Sequence, residues 1–109
     1  MTFEEYTAAV MRTAPPTHAP GLLANLALGV TGEAGEVADL IKKQVFHDHD
    51  PDPDRLIEEL GDVLWYVTAL AYTLNVPLEE VARRNAAKLQ ARYPTGFDPA
   101  RSRSRNEGT

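Results

Sequence analysis

Two pairs of acidic residues constrain this chain more than any other feature. Glu33 and Glu36 are three residues apart, and so are Glu59 and Asp62. Residues at this spacing are neighbours one turn apart on a helix, so each pair would present two carboxylates side by side. Two such pairs on facing helices would form a cluster of four carboxylates. Because like charges at close range repel, such a cluster needs a cation.

The first acidic pair lies within the apolar face of a predicted helix. Apolar residues recur at about 100° per residue from about Leu22 to Phe46. Glu33 projects into this apolar stripe, and Glu36 lies at its border. An ionised carboxylate on an apolar face costs on the order of several kcal/mol unless it is paired or bound to a cation. The stripe consists of Leu22, Leu23, Leu26, Val30, Val37, Leu40 and Ile41.

Three glycines surround the first acidic pair, at Gly29, Gly32 and Gly35. Glycine inside a helix costs about 1 kcal/mol relative to alanine. Their presence therefore indicates either plain helix packing or the close approach of another group to the backbone.

The second acidic pair belongs to a helix predicted from about Pro53 to Leu74. Glu59 falls at the edge of its apolar stripe and Asp62 just outside it, whereas the neighbouring Glu58 points away. Of the two glutamates, Glu59 is therefore the better candidate for the carboxylate cluster. The stripe consists of Leu56, Leu60, Val63, Leu64, Val67, Leu70, Ala71 and Leu74, and the adjacent Trp65 and Tyr66 could pack in the core or stack on a base.

Two further helices complete the predicted fold, which is all-α and a four-helix bundle. A capping box at Thr2 opens a short first helix that runs to about Thr13, and the fourth helix runs from Leu78 to about Tyr93. Residues 1–97 would form one helical domain. Beyond Pro94 no periodic pattern continues, and residues 98–109 form a tail rich in arginine and serine. This tail is either disordered or an arm that folds over a pocket.

Composition narrows the classes of function. A chain of 109 residues with no cysteine forms no disulfide and no thiolate metal site. The net charge of −5 disfavours a nucleic-acid partner, because such binding rests on clustered lysine and arginine. We find no signal-peptide pattern and no apolar run of the roughly 20 residues that a membrane span needs. We therefore expect a cytoplasmic protein without a membrane partner.

The two acidic motifs and the fourth helix together resemble one known family. The segments that carry the resemblance are Gly32-Glu33-Ala34-Gly35-Glu36, Glu59-Leu60-Gly61-Asp62-Val63-Leu64-Trp65-Tyr66 and Asn85-Ala86-Ala87-Lys88-Leu89-Gln90-Ala91-Arg92-Tyr93-Pro94-Thr95-Gly96-Phe97. In this order they resemble the MazG-like nucleoside triphosphate pyrophosphohydrolases of the all-α NTP pyrophosphatase superfamily. The resemblance extends from about Leu22 to Arg105.

The resemblance implies a Mg²⁺-dependent hydrolase, with Mn²⁺ as an alternative ion, that cleaves a nucleoside triphosphate between the α and β phosphates. By this resemblance, Glu33, Glu36, Glu59 and Asp62 are metal ligands. A free carboxylate oxygen of the cluster could also accept the proton of the attacking water, and the candidate catalytic residues are Glu36, at the border of the apolar stripe, and Glu33. The substrate-binding residues that it implies are Lys42, Lys43, Asn85, Lys88, Arg92 and Tyr93. Carboxylate oxygens independently suit Mg²⁺ or Mn²⁺. One small bundle would leave the carboxylates open, so we expect a homodimer or a homotetramer.

Three alternatives remain open. A di-iron carboxylate bundle would need Glu-x-x-His motifs, and we predict that all three histidines lie in loops. A non-catalytic helical module that binds nucleotides would retain the fold without turnover. A dedicated dUTP or dCTP pyrophosphatase would share the carboxylates and differ in the pocket for the base.

Overall fold

The computed structural model describes residues 1–108, with side chains as far as residue 105, and contains five helices and no strand in that range. The helices are α1 (Phe3–Met11), α2 (Leu22–Phe46), α3 (Pro53–Thr73), α4 (Leu78–Arg92) and α5 (Pro99–Gly108). The predicted all-α fold is therefore confirmed. None of the helices in this range is long and apolar enough to cross a lipid bilayer.

The helices begin where local capping chemistry allows. At the start of α1, the Thr2 hydroxyl accepts a hydrogen bond from the Glu5 backbone N–H at 3.0 Å, and the Glu5 carboxylate accepts one from the Thr2 N–H at 3.1 Å. This reciprocal pair is the predicted capping box. At the start of α3, the Asp52 carboxylate accepts a hydrogen bond from the Arg55 N–H at 3.1 Å. Both contacts satisfy backbone donors that have no partner inside the helix.

The fifth helix was not predicted, because we expected no regular element beyond Pro94. The Asp98 carboxylate accepts a hydrogen bond from the Ala100 N–H at 2.9 Å, and Pro99 occupies the first turn of α5. The same Asp-Pro pair begins α3, so the signal for a helix start was present in the sequence. Of the other helices in the described range, α5 packs only against α4. It therefore does not cover the carboxylates of its own chain.

The core lies where α1, α2 and α3 meet. Its buried side chains are Val10 of α1, Leu22 and Leu26 of α2, and Ala69 of α3. Tyr6, Met11, Trp65, Tyr66 and Leu70 pack around them. The helices α2 and α3 share the largest contact in the molecule. This pair carries both acidic motifs, so its packing positions the candidate site.

The Tyr66 ring of α3 packs tightly against α2 at Gly29. A Cβ atom at this position would lie only 2.1 Å from Cε1 of the Tyr66 ring. Apart from its own helix, no described residue lies within 4 Å of the corresponding point at Gly32 or Gly35. Close packing therefore explains the first of the three glycines. It does not explain the other two within one chain.

The helices do not close into a compact bundle within a single chain. Among the described residues, α4 packs against α1, α3 and α5 but not against α2. The radius of gyration is 17.0 Å, whereas a compact chain of this length would have about 13 Å. Five residues of the predicted apolar stripes are exposed rather than buried: Leu23, Ile41, Leu60, Leu64 and Leu74. Periodicity placed these residues on the apolar faces of α2 and α3, and in the described part of the chain no other helix buries them.

We predict that Gly29→Ala destabilises the protein more than Gly32→Ala does. The added methyl group at Gly29 would force the Tyr66 ring to move, and overpacking of this kind costs about 1–3 kcal/mol. The same change at Gly32 meets open space within the chain, so it should be neutral or add up to about 1 kcal/mol through helix propensity. Urea unfolding of both variants measures the difference. Equal unfolding free energies would contradict the assigned contact.

Candidate functional site

Three carboxylates from two helices converge at the centre of the molecule. Glu33 belongs to α2, and Glu59 and Asp62 belong to α3. One oxygen from each of these side chains lies within 4.8 Å of the others. Glu59 is buried, with 7% of its surface exposed, whereas Glu33 is half-buried and Asp62 is exposed. We call Glu33, Glu59 and Asp62 the carboxylate group.

The electrostatics of the carboxylate group disfavour a third negative charge. The pKa of Glu33 is raised, first by partial burial and then by the charge of Asp62. A hydrogen bond to the Glu59 carboxyl, the charge of Glu59 and the charge of Glu36 raise it further. A proton on Glu33 therefore relieves repulsion that a bound cation would also relieve.

Glu36 lies beside the carboxylate group rather than within it. Its side chain is exposed, and it is not among the residues whose oxygens come within 4.8 Å of one another. Its charge nevertheless acts on both Glu33 and Arg55. The structure thus brings together three of the four predicted carboxylates and keeps the fourth within electrostatic range.

Arg55, which is not among the predicted site residues, contacts the carboxylate group. Its Nε donates a hydrogen bond to Oε1 of Glu59 at 3.2 Å. The pKa of Arg55 is raised by this hydrogen bond, by the charge of Glu59, and to a smaller extent by Glu58 and Glu36. The signal was available in the sequence, because arginine and glutamate four residues apart on a helix are neighbours.

A cavity of about 340 Å³ opens beside the carboxylate group. It is lined by Thr13, Glu33, Asp62, Trp65 and Tyr66. The Trp65 indole N–H donates a hydrogen bond to the Thr13 hydroxyl at 3.0 Å, which ties the end of the α1 region to α3. Trp65 and Tyr66 are half-buried and pack edge to face, with ring centres 4.9 Å apart. Both rings therefore pack against the core and also form one wall of the cavity.

The lysines predicted to contact phosphate have another partner. Lys42 and Lys43 both form ion pairs with Asp39, at 3.6 Å and 2.9 Å. The pKa of Asp39 is lowered, chiefly by its hydrogen bond to Lys43. The structure therefore does not bring these two lysines to the carboxylate group.

Four of the predicted substrate-binding residues lie on or directly after α4, which does not contact the Glu33 helix in the described range. Asn85 and Lys88 are exposed on a helix that does not contact α2 in the described range. Arg92 is half-buried, and its Nε atom is buried without a hydrogen-bond acceptor among the described residues. Tyr93 packs against Phe97, with ring centres 5.3 Å apart. Within one chain, these four residues do not complete the site.

The donor set of the carboxylate group suits a hard divalent cation. Mg²⁺ binds carboxylate oxygens at about 2.0–2.1 Å. The three oxygens lie within 4.8 Å of one another, so side-chain rotation could bring them to one such ion. All three histidines, His18, His47 and His49, are exposed and lie outside the helices. The Glu-x-x-His ligands of a di-iron bundle are therefore not formed.

We predict that Glu33→Gln stabilises the metal-free protein above the acidic range. The pKa of Glu33 is raised above its ordinary value of 4.5, so the folded chain binds this proton more tightly than the unfolded chain does. The parent therefore loses stability as pH rises from the ordinary pKa through the raised one, and the glutamine variant does not. Melting temperatures in chelator from about pH 4 to about pH 8 would show a gap that widens with pH.

The same pair of proteins tests cation binding. Mg²⁺ should raise the melting temperature of the parent, because a ligand that binds only the folded state stabilises it. It should have little effect on Glu33→Gln, which lacks one ligand. In chelator, a difference in melting temperature between the two proteins that stays constant with pH would contradict the assigned environment of Glu33.

Comparison with known proteins agrees with the geometry. The sequence model of the MazG nucleotide pyrophosphohydrolase domain matches residues 23–97, a range that contains all four acidic residues. The "Gene 37 protein" of Mycobacterium phage L5 is 44% identical over an alignment of 79 residues, and the match covers 68% of this chain and 68% of the phage protein. No solved structure shows a significant match. Since the family match includes both helices of the carboxylate group and covers most of the sequence, the chain belongs to the MazG nucleotide pyrophosphohydrolase family.

Proposed function

We propose that this protein is a metal-dependent nucleoside triphosphate pyrophosphohydrolase that acts in clearing the nucleotide pool. It would cleave ribo- or deoxyribonucleoside triphosphates between the α and β phosphates and release a monophosphate and pyrophosphate. The observation that carries this proposal is the convergence of Glu33, Glu59 and Asp62 from two helices. These residues lie within the part of the chain that matches the pyrophosphohydrolase family.

The residues of the carboxylate group would hold the cation. Glu33, Glu59 and Asp62 offer one oxygen each, and Mg²⁺ or Mn²⁺ fits this donor set. A bound ion of this kind neutralises phosphate charge and lowers the pKa of a coordinated water. Glu36 is exposed beside the group and is our candidate for the base that accepts a proton from the attacking water. Its position outside the three ligands leaves its oxygens free for this role.

We also propose that a second copy of the chain completes the pocket, in a homodimer or a dimer of dimers. Two observations support this proposal. Asn85 and Lys88 lie on α4, which does not contact α2 of the same chain in the described range. Leu60 and Leu64 are exposed on α3 although their spacing is that of a packed face, and exposed apolar rows commonly mark interaction surfaces.

The reaction is tested by incubating the protein with a panel of nucleoside triphosphates, with and without Mg²⁺ or Mn²⁺, and separating the products. We expect monophosphate and pyrophosphate to form only with metal. Asp62→Asn and Glu36→Gln should lower turnover by at least about 100-fold, because each removes a metal ligand or the base. The panel would also rank dUTP and dCTP against the other substrates.

Glu58→Gln is the matched control, because it makes the same charge change on α3 at an exposed position one residue from Glu59. It should keep turnover within a few-fold of the parent. Release of diphosphate and orthophosphate would contradict the assigned bond. No turnover of any nucleotide would favour the non-catalytic binding module.

The assembly is tested by light scattering after gel filtration. We expect a mass of two or four chains for the parent. Leu60→Asp should lower this mass, because a charge at this position would be buried in the interface. In a monomer the same change would be tolerated, since 53% of the Leu60 surface is exposed within one chain. A monomeric parent that retains full turnover would contradict the proposed second copy.

A further inference from the structure

One arginine is held against the carboxylate group, in a position that helix electrostatics do not favour. Arg55 lies in the first turn of α3, three residues after the N-cap Asp52. The positive end of the helix dipole is located there and disfavours a cation. The hydrogen bond from Arg55 Nε to Glu59 Oε1 offsets this cost. Glu59 thus fixes the guanidinium at the edge of the carboxylate group.

The anchored arginine keeps most of its hydrogen-bonding capacity. Only Nε is used, and the two terminal nitrogens donate no hydrogen bond to any other residue in the described range. The side chain is 53% exposed, so these nitrogens face solvent. A guanidinium presents them as a planar fork that matches two oxygens of a phosphate.

Four other basic side chains of α2 and α4 form ion pairs with acidic residues of their own helices. Lys42 and Lys43 pair with Asp39. Arg83 and Arg84 of α4 pair with Glu80. Arg55, by contrast, forms its ion pair with a member of the carboxylate group itself.

We propose that Arg55 is a phosphate-binding residue of this site, which binds the pyrophosphate part of the substrate through its terminal nitrogens while Nε stays on Glu59. This inference rests on the proposed function, because it assumes a cation in the carboxylate group. Glu36 and Glu58 also act on Arg55, and without a cation their charges would repel a phosphate. Pyrophosphate should therefore bind only after Mg²⁺.

The protein carries its own reporter for this test. Trp65 is the one tryptophan of the chain, and it lines the cavity beside Glu33 and Asp62. Its fluorescence can be followed while Mg²⁺ is added alone, and then while inorganic pyrophosphate is added at saturating Mg²⁺. Calorimetry provides a second measurement of both affinities.

Arg55→Gln should weaken pyrophosphate binding by about 10- to 100-fold, which is the range expected for lost hydrogen bonds to a charged group. Its affinity for Mg²⁺ alone should stay within about 3-fold of the parent, because the ligands remain. Arg55→Lys keeps the charge but not the fork, so its pyrophosphate affinity should fall between those of the parent and Arg55→Gln. Arg83→Gln, which removes another arginine paired with a glutamate on its own helix, should behave like the parent.

The other outcomes overturn either the assignment of Arg55 or the proposed function as well. Equal pyrophosphate binding by Arg55→Gln and Arg83→Gln would overturn the assignment of Arg55 alone. Loss of Mg²⁺ binding by 10-fold or more in both Arg55 variants would show that Arg55 only orients Glu59. A parent that binds Mg²⁺ but no pyrophosphate would also overturn the assignment. A parent that binds no Mg²⁺ would overturn the proposed function together with this inference.

Discussion

The contact between the Tyr66 ring and the backbone at Gly29 sets the distance between the two helices on which the site depends. Gly29 lies four residues before Glu33 on α2, and Tyr66 lies four residues after Asp62 on α3. Each contact residue is therefore one helical turn from a carboxylate on its own helix. A side chain at position 29 would collide with the Tyr66 ring and disturb the packing one turn from the oxygens that lie within 4.8 Å of one another. Packing at this point holds the carboxylates together despite their repulsion.

The repulsion affects each of the three members of the carboxylate group differently. The pKa of Glu33 is raised, because partial burial and the neighbouring carboxylates favour the protonated form of this side chain. Glu59 is the most buried of the three and is the one that pairs with Arg55. Asp62 is exposed, so the surrounding water screens its charge. A divalent cation would satisfy all three at once, which neither a proton nor the single contact from Arg55 does.

Much of the fold and part of the site could be predicted from the sequence. Apolar periodicity and caps at Thr2 and Asp52 located the first four helices, and the same periodicity selected Glu59 over Glu58. The helix α5 was missed because the segment has no apolar stripe, although Asp98 and Pro99 mark its start. Arg55 was missed because its role depends on the burial of Glu59. Asp39 lies three and four residues before Lys42 and Lys43, so the spacing allowed this pairing too, and it was overlooked in favour of phosphate contacts.

The apolar stripes were predicted too wide for one chain, and this excess is informative. Periodicity identifies which residues share a face, but it does not say whether that face packs against the same chain or another. Leu60 and Leu64 share a face of α3, yet both are exposed here. The helix α4, with Asn85 and Lys88, is likewise separated from the α2 carboxylate of its own chain. The proposed second copy of the chain would account for both facts together, since it would cover the exposed face and bring another α4 within reach. Selection for such an assembly would preserve an apolar stripe wider than the core of one chain can use.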